Sequence, residues 1–200
     1  SDYSAFCDWE RARLEDKATN ADADFWRRRF AVISPPVFGA KTNPAASPLL
    51  RIDGDLPEKV DVTIATLASR FEVSAFALWL SVIALALVSL TGRRDLTIGA
   101  PFSLRGPKRF DATVGPLLNT IPIKIQVPDH QPYPEFCREL ADEARRAFAH
   151  GFLPFEAIRA ASGAEISAQP LFNIMFGFNE RVPHSWSLSG ATLSPVAIGA

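Results

Sequence analysis

The sequence is poor in the residues that most metal and redox chemistry needs. Its 200 residues hold two cysteines, Cys7 and Cys137, and three scattered histidines, His130, His150 and His184. Neither cysteine has metal-ligand spacing and the histidines do not cluster, so no zinc site is expected. Two unclustered thiols fit a reducing, cytoplasmic setting, with one disulfide between them left open. An excess of one charge is also lacking. The formal net charge is −1, which leaves no electrostatic footprint for nucleic acid. The short run Arg27-Arg28-Arg29 fits a solvated helix face. The opening stretch SDYSAFCDWERARLED is too charged for a secretory signal. There is no Gly-x-Ser-x-Gly elbow, no phosphate-cradling glycine loop and no His-Glu-x-x-His pair. Carboxylates fall mostly beside Lys and Arg, where ion pairing on helix faces accounts for them. No self-contained catalytic set is visible.

What is abundant is apolar. Hydrophobic residues make up 48% of the chain, enough for a sizeable core in one or two domains. One uncharged run stands out, Val73 to Leu90, VSAFALWLSVIALALVSL. It reaches the lower length limit of a membrane span, and Arg93 and Arg94 follow it. It also holds Ser74, Ser81 and Ser89 and runs almost directly into a predicted strand. A helix apolar all round is buried in something, and a protein core is enough.

The periodicity predicts helix over residues 2–30 with a break near Thr19-Asn20, then a Pro-rich connector over 33–48 and a short strand over 49–52. Helices follow over 57–71 and from Ser74, a candidate N-cap, to Thr91-Gly92. Strands are expected over 95–100, 114–127, 170–178 and 188–195, with a polar loop over 101–113. Helices are expected over 133–150 and 153–161. The class is α/β or α+β, a mixed sheet packed by helices.

Two stretches raise chemical questions. In VGPLLNTIPIKIQV the polar pair Asn119-Thr120 interrupts an apolar strand. A buried amide is costly without partners. Either Asn119 satisfies backbone groups at a bend or bulge, or it offers its amide to a substrate. In HGFLPFEAI, Pro154 and Glu156 mark a new helix, and His150 fits the C-cap of the one before.

Taken in order, these pieces resemble the C-terminal half of a nonribosomal peptide synthetase condensation domain. SDYSAF resembles the family's Tyr-x-Asp-Tyr-Ala-Val-Trp motif entered part-way, and DFWRRRF its Tyr-Trp-x-x-x-Leu. TGRRDLTIGAPFSLR resembles Gly-x-x-Asp-x-x-Ile-Gly followed by Arg, and VGPLLNTIPIKI resembles Ile-Gly-x-Phe-Val-Asn-Thr-x-x-x-Arg. HGFLPFEAI resembles His-Gln-Asp-x-Pro-Phe-Glu, and AEISAQPLFNIMF resembles Arg-Asp-x-Ser-x-x-Pro-Leu-Phe-x-Val-x-Phe. Each match is weak alone; six in the family order span nearly the whole chain. There are departures. Pro116-Leu117-Leu118 replaces x-Phe-Val, Lys124 stands for Arg, Gly151-Phe152-Leu153 replaces Gln-Asp-x, and Ala164-Glu165 replaces Arg-Asp.

The resemblance implies one lobe of a two-lobed fold similar to chloramphenicol acetyltransferase, with residues 101–113 as a floor loop between the lobes. The family's His-His-x-x-x-Asp-Gly motif and its closing strands are expected outside this segment, so no catalytic residue is expected on it. The implied activity is amide-bond formation between an acyl or peptidyl thioester and an aminoacyl amine. Rival readings are a non-catalytic recruitment platform, or a sibling reaction such as starter acylation, epimerisation, heterocyclisation or ester formation. The resemblance further implies that Asn119, Thr120, Gly115 and Arg105 lie at the substrate tunnel, with Phe172 and Met175 on one wall. Arg105 is equally suited to tethering the floor loop. No cofactor is expected to bind directly; phosphopantetheine arms arrive on upstream and downstream carrier proteins. The other implied partners are the missing N-terminal lobe and an adjacent adenylation domain, with neither nucleic acid nor membrane among them. The apolar run becomes a core helix.

Overall fold

The computed structural model describes residues 2–38, 52–106, 108–163, 170–179 and 186–193. Two helices open the chain, α1 (Tyr3–Leu14) and α2 (Lys17–Arg29). The break falls at Glu15-Asp16, not at Thr19-Asn20. The Thr19 hydroxyl donates to the carbonyl of Arg13, so this residue closes the break from inside α2. Of the connector expected over 33–48, residues 39–48 lie outside the described residues, as does most of the strand expected over 49–52.

Helices α3 (Glu58–Phe71) and α4 (Ala75–Thr91) follow. The Ser74 side chain caps α4 by accepting from the Ala77 N–H, and Gly92 ends it at φ +69°. Leu78, Leu80, Ser81, Ala84 and Leu87 are buried, and α4 packs between α3 and α5 (Tyr133–Ala149). A serine that interrupts the apolar run finds its partners here. Ser81 donates to the Leu78 carbonyl at 2.6 Å and meets Tyr133 Oη on α5 at 2.9 Å. Burial pushes the Tyr133 phenol above its ordinary range. No single helix among the described residues is long and apolar enough to cross a membrane.

Strands β1 (Asp95–Ser103) and β2 (Leu118–Gln126) form an antiparallel pair. Leu96, Ile98 and Ala100 face the same side as Ile125, Ile123 and Ile121, all buried. The strand expected to end at Ala100 runs on to Ser103, which shortens the polar loop at its start. The strand expected over 114–127 pairs only from Leu118, because Pro116 and the bend at Gly115 precede it. Helix α5 packs on β2, and α6 (Phe155–Ser162) packs on α2 and β2.

The strand expected over 170–178 is reduced to one bridge: only Met175 pairs with β1, parallel, at Gly99. The Gly99 N–H donates to the Ile174 carbonyl at 2.9 Å and the Phe176 N–H donates to the Gly99 carbonyl at 2.8 Å. The next outward position on that edge of β1 is Pro101, which has no N–H to continue the ladder. Burial still alternates: Phe172, Ile174 and Phe176 are half-buried, and residues 173, 175 and 177 are exposed. The strand expected over 188–195 is instead a hairpin, β3 (Trp186–Leu188) and β4 (Ala191–Leu193).

Candidate functional site

Four of the six expected site residues gather around one end of the β1–β2 pair. There Phe102 lies opposite Asn119 and Pro101 opposite Thr120. Asn119 is 8% exposed and its amide is saturated. Its Nδ2 donates to the carbonyls of Gly151 and Leu153, both at 2.7 Å. Its Oδ1 accepts from the N–H of Thr120 at 2.9 Å and of Phe155 at 3.1 Å. Two protons and two lone pairs are all an amide side chain has. Asn119 therefore ties β2 to the turn joining α5 and α6. Three of its four partners are backbone groups of a distant turn, and the fourth is the N–H of its neighbour Thr120 in the same strand.

Two residues not singled out in the sequence hold the same turn. Trp26 Nε1 donates to the His150 carbonyl at 3.2 Å. Asp22 lies 2.7 Å from His150 Nδ1, and the His150 ring stacks on Phe25 at 4.0 Å. His150 is the C-cap of α5, as its position suggests. The signals for Trp26 in the sequence are its place in DFWRRRF and in the apolar stripe it shares with Phe25 and Phe30.

Arg105 Nη1 is directed at three carbonyls of its own loop, those of Phe110, Asp111 and Thr113, at 3.0, 3.2 and 2.7 Å. It tethers its own loop, the one expected to be the floor. Behind that loop lies a small second core of Phe6, Leu104, Phe110 and Leu117, with Trp9 and Phe152 against it. Gly115 belongs to the same contact: a Cβ there would lie 2.4 Å from the Tyr3 ring on α1. Replacing Arg105 with alanine should loosen the loop by about 2 kcal/mol, the value of hydrogen bonds to a charged donor. Lysine should restore it only in part, because its ammonium sits on a shorter stem than Nη1 and must be held at a cost in rotamer freedom. Backbone hydrogen exchange over 104–117 reads this directly; equal protection in wild type and Arg105→Ala would refute the tether.

Phe172 and Met175 separate. The Phe172 ring lies where a Cβ on Gly99 would meet it at 2.4 Å, and 5.5 Å from the Phe155 ring. Met175 points out and is 57% exposed. Leu118 is 66% exposed, Val114 is 91% exposed and Thr120 is half-buried. The exposed side chains flanking that end of the sheet, Val114 and Leu118, are thus apolar, and the exposed charges nearby, Lys108, Arg109 and Asp111, belong to the adjoining loop. None of the six expected residues is a carboxylate, histidine or cysteine, and the one cation is engaged with loop carbonyls. These six residues can shape and support a surface, and none of them is a ready proton-transfer group.

The Condensation domain family model matches residues 1–198. The chain is 25% identical over 181 residues to phosphinothricin tripeptide synthetase PhsC of Streptomyces viridochromogenes, covering 87% of this chain and 17% of that protein. It is 24% identical to enniatin synthase of Fusarium equiseti, covering 98% of this chain and 6% of that one. Among solved structures, the first condensation domain of the calcium-dependent antibiotic synthetase superposes with a TM-score of 0.74 at 18% identity, over 92% of this chain and 41% of that chain. The X-domain from teicoplanin biosynthesis gives 0.67 at 18% identity, over 85% and 40%. The chain therefore spans a small part of its curated relatives and about two-fifths of the solved chains. Its fold is that of those solved domains, the chloramphenicol acetyltransferase-like fold expected from the motifs. Matched by the family model over nearly its full length, the chain belongs to the condensation domain family.

Proposed function

We propose that this chain forms the floor and one wall of the tunnel in a nonribosomal peptide synthetase condensation domain. The domain joins an acyl or peptidyl thioester on one carrier protein to the amine of an aminoacyl thioester on a second. The amine attacks the thioester carbonyl, the tetrahedral oxyanion collapses, the carbon–sulfur bond breaks and the thiol leaves. Proton transfer from the amine needs a base or a positioning group, and the oxyanion needs donors. In this reading both come from the lobe outside this segment, where the family carries its paired histidines. Phosphopantetheine arms of the two carrier proteins bring the substrates, an adenylation domain is adjacent, and the assembly works in the cytoplasm.

One observation carries the reading: the family model covers 1–198, while the exposed side chains beside the family's Asn-Thr pair, Val114 and Leu118, are apolar. An apolar wall suits a neutral thioester in transit. Asn119 serves the tunnel by positioning, because all four of its bonds are made within the chain. Arg105 and Gly115 set the floor loop. Phe172 backs the wall on which Met175 stands.

The test uses the full-length protein with both carrier domains loaded. Met175→Glu and Thr120→Glu should each lower condensation rate about tenfold or more, the range of one misplaced group at a reacting centre. Met175 is exposed here, so its substitution should leave thermal stability nearly unchanged. Unchanged product formation in both variants would remove the tunnel wall from this face.

A further inference from the structure

Three polar atoms among the described residues are buried and without a hydrogen-bond partner: Ser34 Oγ, Asp95 Oδ1 and Thr97 Oγ1. Ser34 and Thr97 are each 3% exposed. Buried polar atoms are nearly always bonded, so three exceptions in one small protein require a physical cause.

The ties around them put all three on one face of the sheet. Asp95 and Thr97 are two apart on β1 and share one face. Directly across from Thr97 is Lys124, whose Nζ reaches the carbonyl of Val32 at 2.8 Å. Arg93, just before β1, donates to the carbonyls of Pro36 and Pro35 at 2.6 and 2.7 Å. Asn173, in the segment bridged to the other edge of β1, donates to the carbonyl of Phe38 at 2.5 Å. Residues 32–38 are thus tied first at β2, then at the foot of β1, then beyond its far edge. They cross β1 on the face that carries Asp95 and Thr97, and Ser34 lies between the first tie and the second.

We propose that Ser34, Thr97 and Asp95 form a closed site for ordered water that keys the crossing segment to β1. The ligand class follows from the donors and acceptors. Two hydroxyls can each give and take a hydrogen bond, and a carboxylate oxygen takes one. A single water that donates to Asp95 and to one hydroxyl, and accepts from the other, completes the set with the three partners typical of buried water. A cation is disfavoured by Lys124 and Arg93 on either side, and an anion by Asp95 itself. A small neutral ligand with both roles remains.

The experiment compares wild type, Thr97→Val, Thr97→Ser and Ser34→Ala in the full-length protein. It reads hydrogen exchange over 31–38 and 93–100, with high-resolution density at the site. A water hub predicts faster exchange in both segments for Thr97→Val, by about fivefold or more, with wild-type protection kept by Thr97→Ser. It also predicts that adding Ser34→Ala to Thr97→Val has little further effect, because both remove legs of one bridge. Density should show a solvent peak between the three side chains. A dry site predicts the opposite sign: Thr97→Val would leave exchange unchanged or slow it, since deleting an unpartnered hydroxyl relieves the site. That result, or density in which Ser34 and Thr97 touch directly, overturns the proposal.

Discussion

Replacing Asn119 with aspartate is expected to harm the protein more than replacing it with alanine, even though aspartate is the closer match in shape. Alanine deletes the amide and strands four backbone groups: the carbonyls of Gly151 and Leu153, and the N–H groups of Thr120 and Phe155. An unsatisfied buried group costs about 1–3 kcal/mol, and some will recover water, so about 3 kcal/mol is expected for Asn119→Ala. Aspartate keeps the two bonds that Oδ1 accepts. It sets its second oxygen against two carbonyl oxygens that now lie 2.7 Å from Nδ2. A buried charge without a partner costs about 3–5 kcal/mol, so Asn119→Asp should exceed Asn119→Ala at neutral pH.

The pH dependence separates the two variants. Burial against two carbonyls raises the carboxyl's affinity for a proton in the folded state, so the folded variant binds more protons than the unfolded one. Stability from such a group is present below its unfolded value of about 3.9 and is lost as pH rises above it. The gap between the aspartate and alanine variants should therefore narrow as pH falls toward about 4. Urea unfolding of both variants across pH measures it. An aspartate variant no less stable than alanine at neutral pH would mean that the amide protons are not what holds the turn.

That role for Asn119 is half legible in the sequence. A buried amide needs partners, and a bond to backbone is one of the two readings its surroundings allow. Which backbone is not legible, because three of the four partners lie 32, 34 and 36 residues away. Local rules reach only a few residues, and this tie is made by the path of α5 back across β2. Elements governed by local chemistry are easier to read. The Ser74 and Gly92 caps of α4 follow from nearest-neighbour hydrogen bonding and from glycine's tolerance of φ > 0. The first helical break is displaced from Thr19-Asn20 because the Thr19 hydroxyl bonds backward to Arg13, which keeps both residues inside α2. The segment 170–178 has the right alternation for a strand. What stops it is Pro101 on the neighbouring edge, a constraint carried by another part of the chain. The tethering role of Arg105 is legible because a loop that must fold on itself needs donors for its own carbonyls.

Trp26→Ala is expected to cost about 4 kcal/mol. The ring is fully buried and packs edge-on to Phe25 at 5.0 Å and against Phe30 at 6.1 Å. Truncating such a ring leaves a cavity that the surrounding core only partly fills, and large aromatic-to-alanine changes cost about 3–5 kcal/mol. Trp26→Phe keeps most of the volume and removes the indole N–H, leaving the His150 carbonyl without its donor; about 1–2 kcal/mol is expected. The informative comparison adds Asn119→Ala to each. Trp26 holds the carbonyl of residue 150, and Asn119 holds those of 151 and 153. If the turn moves as one body, either loss frees it, and the second then costs less than it does alone. The double variant Trp26→Phe/Asn119→Ala should fall short of the sum of its parts by about 1 kcal/mol, well outside the roughly 0.3–0.5 kcal/mol scatter of independent sites. Additivity within that scatter would mean that the two side chains act on separate structures. The loss from Trp26→Phe would then be purely local to α2. A shortfall would identify the α5–α6 turn as the hinge on which the family's Asn-Thr strand depends for its shape.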